Sequence, residues 1–135
     1  MVSRVFFDTS TVVPLLIAEP YSEEALSVWK RTEERFAWRW LKVETEAALA
    51  RRRAPMEAWE NWGRAERALF WIELPDHQLE ALCAFNRSLR LRAADAAHLF
   101  VMERLARAVP NVKLFTYDQE MRESAHALSL SQINV

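Results

Sequence analysis

The chain has 135 residues, 18 basic and 19 acidic side chains and a formal charge of −1, so it is sized for one domain spanning 1–135, with no whole-molecule attraction to nucleic acid. A chain of this length buries roughly two thirds of its unfolded surface, enough for a proper core. The lone cysteine, Cys83, excludes an internal disulfide. Its neighbours Leu82 and Phe85 lead us to expect a small buried residue.

No segment approaches the roughly 20 apolar residues that span a bilayer, and the start lacks a signal-peptide layout. A cytoplasmic protein is expected. Gly63 is the single glycine, which rules out glycine-rich phosphate loops of both the P-loop and dinucleotide-binding kinds. Phosphate chemistry here would use something else, and a metal held by carboxylates is the obvious candidate. Fifteen of the eighteen basic residues are arginine; codon bias accounts for that at least as well as phosphate recognition does.

In chain order, Arg4–Phe7 reads as a strand ending at Asp8. Asp8, Thr9, Ser10 and Thr11 are N-cap residues for a short helix that Pro20 stops. Ser22 is placed to cap the next helix, with Ala25, Val28 and Trp29 at helical spacing. A short strand near Phe36–Trp38 precedes a helix from Trp40 to Arg53, rich in Leu, Ala, Glu and Arg. Pro55 restarts a helix that runs to about Leu69. Phe70–Leu74 reads as a strand closed by Pro75. Asp76 then caps a helix with Leu79, Leu82, Cys83 and Leu89 on its inner side. Further elements are a helix over about 93–108, a strand over 112–116, a helix over 118–128 and a last short strand over 132–135. Strands alternating with helices imply a three-layer α/β domain whose central sheet has about five mostly parallel strands.

Four acids stand out. Asp8 and Asp118 each lie just past the carboxyl end of an apolar strand, the edge where open parallel sheets bind ligands. If their strands are neighbours, the two carboxylates meet, and a divalent cation relieves the repulsion. The competing reading of each is a helix N-cap. Asp95 sits among alanines in Arg92-Ala93-Ala94-Asp95-Ala96-Ala97-His98, in the first turn of a helix that packs closely. An acid complementing the helix dipole is worth only a few tenths of a kcal/mol and explains that apolar setting less well. Glu44 and Glu46 are about 200° apart around their helix, so only one can face a given site. Glu44 shares its face with Ala48 and Arg51; the residues by themselves leave the choice open.

With these motifs in view, the sequence resembles the PIN-domain ribonucleases, in particular the VapC toxins of bacterial and archaeal toxin–antitoxin pairs. The resemblance covers nearly the whole chain and rests on Phe7-Asp8-Thr9-Ser10, on Val43-Glu44-Thr45 with Ala48, Leu49 and Arg51, on Leu91 to Leu99, and on Leu114-Phe115-Thr116-Tyr117-Asp118. It implies strand order 3-2-1-4-5 and selects Glu44 over Glu46. The implied activity is hydrolysis of RNA phosphodiesters by one or two Mg²⁺ or Mn²⁺ ions at Asp8, Glu44, Asp95 and Asp118. Thr9, Ser10 and Thr116 are expected to bond a ligand water or phosphate, and Arg51, alone of the Arg51–Arg53 run on the Glu44 face, to contact phosphate. The resemblance also implies a VapB-type antitoxin partner and a homodimer. Two positions depart from the family pattern. Trp38-Arg39-Trp40 stands where members often carry a small hydroxyl residue, which is expected to reshape the substrate entrance, and Ser129 stands in place of a glycine.

His98 lies one turn from Asp95, within reach of the site, although a histidine there more often packs or makes a helix hydrogen bond. No Ser–His or Cys–His pattern supports nucleophilic catalysis. Trp59 and Trp62 read equally as core or as a partner surface. A receiver-like signalling module would need paired acids after the first strand and a lysine near the fifth; a haloacid-dehalogenase-type phosphatase would need Asp-x-Asp where the chain has Asp8-Thr9-Ser10. The remaining alternative is a PIN-fold or receiver-like module that binds a metal and a protein partner without cutting RNA.

Overall fold

The computed structural model describes all residues from Met1 to Val135. The strands are β1 (Arg4–Phe7), β2 (Glu34–Trp38), β3 (Leu69–Ile72) and β4 (Val112–Phe115). The helices are α1 (Thr9–Val12), α2 (Ser22–Arg31), α3 (Leu41–Arg51), α4 (Met56–Arg67), α5 (Leu79–Leu89), α6 (Ala93–Ala108) and α7 (Gln119–Ala127). The four strands form one parallel sheet of order β3-β2-β1-β4. Parallel neighbours need crossover connections, and helices make each of them.

The period of two along β1 separates two cores. Val5 and Phe7 face a cluster built with Val12, Ala25, Val28, Leu41, Leu49 and Trp62 from α1 to α4. Phe6 faces the other cluster, with Leu99, Val101 and Met102 of α6 and Met121 and Ala125 of α7. Helix α6 is buried over Ala96 to Met102, so it forms the centre of the second layer. Trp62 is buried in the first core, and the partly buried Trp59 packs against its edge.

The expected fifth strand is reduced to a single bridge. Leu114 N–H donates to Ser131 O (2.9 Å) and Ile133 N–H to Leu114 O (2.9 Å), and the bridge Leu114–Gln132 is parallel. The place beside β4 matches the expected order, although the pairing stops at this bridge. In the turn ending α7 Ser129 holds φ 58°, while Ser129 N–H bonds His126 O and Leu130 N–H bonds Ala125 O. This is a helix-ending turn usually made with glycine.

Three local expectations are corrected. Ser22 is the first residue of α2 and caps nothing; its hydroxyl accepts from Glu19 N–H (2.8 Å) and donates to Ile17 O (3.2 Å), closing the turn around Pro20. Asp76 opens a 3₁₀ turn and makes no side-chain cap bond. On α5 the inner stripe is Leu82, Phe85 and Leu89; Leu79 and Cys83 are exposed, because the stripe is turned toward Phe100 of α6. No helix is long and apolar enough to cross a membrane.

Phe7 is fully buried and meets Trp29 (ring centroids 5.1 Å) and Phe115 (5.7 Å) edge-on. Truncating it empties the centre of the first core, so Phe7→Ala is expected to lose about 3–5 kcal/mol of stability in urea denaturation.

Candidate metal centre

The four acids come from four separate segments that converge beyond the carboxyl ends of β1 and β4. The β1–β4 register pairs Phe7 with Phe115, which sets Asp8 next to Thr116. Asp8 is buried, 4% exposed. Its Oδ1 accepts Ser10 N–H as the N-cap of α1, and its Oδ2 accepts the Thr116 hydroxyl. The Ser10 hydroxyl accepts Tyr117 N–H (2.9 Å) and lies 3.4 Å from Thr116 Oγ1, which itself accepts Asp118 N–H (3.0 Å). Ser10 and Thr116 thus lock the two strand ends together. Asp118 Oδ1 caps α7 by accepting Met121 N–H (2.9 Å).

The N-cap reading of Asp8 and Asp118 is therefore correct, and it does not compete with a ligand reading. A carboxylate has about four lone-pair sites, and the caps use one on each residue.

Asp95 lies in the first turn of α6. The turn before it is held by Asn86, whose amide donates to Leu91 O (2.8 Å) and accepts Leu91 N–H (2.9 Å), with Arg90 in the left-handed conformation (φ 59°). Sequence reading passed over Asn86; Asn followed by a polar stretch carries no distinctive signal. Burial first, and then the negative charges of Asp118 and Asp8, push the Asp95 carboxyl above its ordinary value. Burial likewise raises Asp8, against the opposing influence of His98, Thr116 and Ser10.

Glu44 sits in the first turn of α3, which packs beside α1. Its Oε1 accepts the Thr9 hydroxyl (2.7 Å) and His98 Nε2–H (2.6 Å). Burial alone would raise this carboxyl, but the His98 hydrogen bond and charge, with Thr9, hold it below the usual range. Glu46 points elsewhere. Its Oε2 accepts from Lys42 (2.7 Å) and from the Trp62 indole (3.0 Å). This supplies the physical reason, absent from the sequence, for taking Glu44.

His98 is 2% exposed, meets Trp38 edge-on (5.0 Å) and leaves Nδ1 buried without a partner. It packs, as histidines there usually do, and it also reaches the site through Glu44. Arg51 is exposed and shares an open groove of about 620 Å³ with Glu44, Ala47, Ala48 and Arg52; Arg52 is paired with Glu19 (2.7 Å).

No three of the chain's His, Cys, Asp or Glu side chains stand as a finished metal cage. The donor chemistry nonetheless fits a hard divalent cation. The set is all-oxygen, the charges repel one another, and Asp95 has burial and the three like charges of Asp118, Asp8 and Glu44 acting on it. Mg²⁺ or Mn²⁺ would be held by Asp8, Asp95 and Asp118, with Glu44 beside them.

A parallel sheet with this strand order and acids gathered at its carboxyl edge defines a PIN-like domain. Its fold matches Mycobacterium tuberculosis VapC20, described as a sarcin-ricin loop cleaving toxin, at a TM-score of 0.71 and 16% identity over 89% of this chain and 94% of that one. A toxin–antitoxin complex from Klebsiella pneumoniae matches at a TM-score of 0.63 and 17% identity, covering 84% and 86%. In sequence, the chain is 31% identical over 137 residues to Ribonuclease VapC46 of Mycobacterium tuberculosis, covering 97% of each. No family model matches the chain. The chain belongs to the VapC ribonuclease family.

The raised carboxyls have a measurable consequence. A folded-state value above the unfolded 3.8 gives stability that is complete at low pH and is lost as pH rises through the folded value. Metal-free protein should accordingly lose stability as pH rises above the unfolded value of 3.8, and Asp95→Asn should lose less. Thermal melts in EDTA check this; identical pH profiles for the two proteins would remove Asp95 from the charge cluster.

Proposed function

We propose that the chain is a metal-dependent endoribonuclease, the toxin of a toxin–antitoxin pair, cutting RNA at Asp8, Glu44, Asp95 and Asp118. The observation that carries this is the convergence of four carboxylates with the charge stress on Asp95. Membership of a family whose relatives are named ribonucleases supports the RNA substrate. When bound, Mg²⁺ or Mn²⁺, as one ion or two, supplies Lewis acidity toward the scissile phosphate and makes a water more acidic.

The chain's own residues do the rest. Asp8 is held in one orientation by Ser10 and Thr116, so its ligand oxygens need no reorganisation. Asp118 is fixed by its cap. Glu44, aimed by Thr9 and His98, would complete the shell of the cation or orient a water. The half-buried Thr9 and Ser10 offer oxygens to waters or phosphate, while Thr116, fully buried, serves by holding Asp8 and Asp118 N–H in place rather than by meeting a phosphate. Arg51 places a guanidinium on the Glu44 face for a neighbouring phosphate.

The partner in this reading is a VapB-type antitoxin, supported by the fold match to a toxin–antitoxin complex. A homodimer and a cytoplasmic setting complete the proposal. The alternative, a domain that binds metal and partner without cutting, predicts no cleavage under any metal condition.

Asp8→Asn is expected to abolish cleavage of total RNA while far-UV circular dichroism stays that of the folded protein, and EDTA should do the same to the unmodified chain. Undiminished cleavage by that variant would sink the assignment. Arg51→Ala should weaken RNA binding and reduce the slope of log affinity against log salt by about 1, the share of a single phosphate contact. An unchanged slope would remove Arg51 from the substrate path.

A further inference from the structure

The loop between β2 and α3 carries an exposed tryptophan that neither the core nor the acid cluster accounts for. Trp40 is 48% exposed, although an indole is among the side chains with most to gain from burial. It is the N-cap residue of α3, and Glu44 N–H bonds its carbonyl (3.1 Å). The two side chains are therefore one helical turn apart on one face. Trp40 leans on Trp38 (centroids 6.2 Å, planes 30° apart). Trp38 in turn meets His98, the donor to Glu44. An unbroken chain of contacts thus joins Trp40 to the acid site, and Trp38 braces the indole from behind.

Along α3 the face continues. At about 100° per residue, Trp40, Glu44, Ala48 and Arg51 fall within an arc of about 80°, and they span about 16 Å of helix axis. An aromatic plate, an acid of the site, a small residue and a free cation follow one another in that order. Arg51 and Ala48 line the same open groove as Glu44. A protein partner's apolar residue would be an odd match for a single plate bordered by a carboxylate and a guanidinium. A nucleotide strand matches each part: a base for the indole, a phosphate for Arg51, the scissile bond between them.

We infer that Trp40 is a base-stacking platform for an unpaired nucleotide flanking the bond that is cut, and that α3 is the track along which the single strand lies. The inference rests on the nuclease reading above for its scissile bond, though the stacking itself does not. Every base has a π-face, so an exposed indole beside a cationic groove binds single strands with little sequence preference. A base already paired in a duplex cannot reach it.

The test uses a fluorescently labelled single-stranded RNA oligonucleotide, the same strand annealed to its complement, and the full chain as wild type, Trp40→Ala and Trp40→Phe. Anisotropy gives affinity, cleavage kinetics give KM and kcat, and thermal melts with and without Mg²⁺ report the acid site. Trp40→Ala should weaken single-strand binding, and raise KM, by about tenfold, the scale of one lost base–aromatic stack. Expected alongside are a kcat within about twofold, an unchanged Mg²⁺ shift, retained binding in Trp40→Phe, and no effect on duplex. Single-strand affinity within about twofold of wild type in Trp40→Ala would overturn the platform. So would equal defects in both variants with a lost Mg²⁺ shift, or an equal loss of duplex binding. Cleavage indifferent to Trp40 leaves the nuclease standing and removes the platform; Trp40-dependent binding without cleavage does the reverse.

Discussion

The pairing of β1 with β4 is the constraint from which the rest follows. It sets Phe7 against Phe115 and so delivers Asp8 into a place with almost no solvent. A carboxylate there is costly unless its oxygens are bonded, and Thr116, Ser10 and Thr11 surround it. Thr11 bonds both the Asp8 carbonyl (2.8 Å) and the Phe115 carbonyl (3.3 Å), tying the first turn of α1 to both strands. The hydroxyl residues near the site are thus the fasteners that make a buried acid tolerable. They also hold it in the orientation a cation would need.

The site is built against stability. Burial is the first reason that Asp95 and Asp8 hold protons more tightly than free carboxyls do, and at Asp95 the negative charges of Asp118, Asp8 and Glu44 add to it. Glu44 shows the opposite response because His98 sits against it. Two environments separate the four acids: three clustered acids at the strand ends and α6, and one acid on α3 paired with a buried imidazole. This division suits a cation held by the first three and a water aligned by the fourth.

Helix α3 is where family pattern and individual character meet. Glu44 is placed by its neighbours in space, Thr9 and His98, while Trp40 and Arg51 extend the same face in both directions. The Trp38-Arg39-Trp40 segment leads from β2 into α3. Trp38 walls His98 into the core, and Trp40 is left outside beside the acid site. Arg39 is drawn away, bonded to Glu73 (2.9 Å) and lying over Trp71.

The alternation of apolar strands with helices was legible in the chain because β1, β3 and β4 are short, largely apolar and followed by a capping acid or a proline, whereas β2 carries Glu34 and Arg35 and has neither signal after it. The same pattern placed Asp8 and Asp118 at strand ends, where the structure has them as caps beside each other's strand. Less legible were the choices that depend on rotation and on neighbours distant in sequence. Whether Leu79 and Cys83 faced in or out turned on how α5 lies against Phe100. The last strand pairs through a single bridge, Leu114 with Gln132, an outcome that depends on β4 and not on the local pattern. The choice between Glu44 and Glu46 needed Lys42, Trp62 and His98 in place around them. Local sequence thus determined which segments were strands and helices and which acids ended them, since those depend on neighbours a few residues away. Tertiary structure alone decided which carboxylate joins the cluster and how strongly each holds its proton. Those outcomes depend on burial and on charges brought together from Asp8, Glu44, Asp95, His98 and Asp118, residues far apart along the chain.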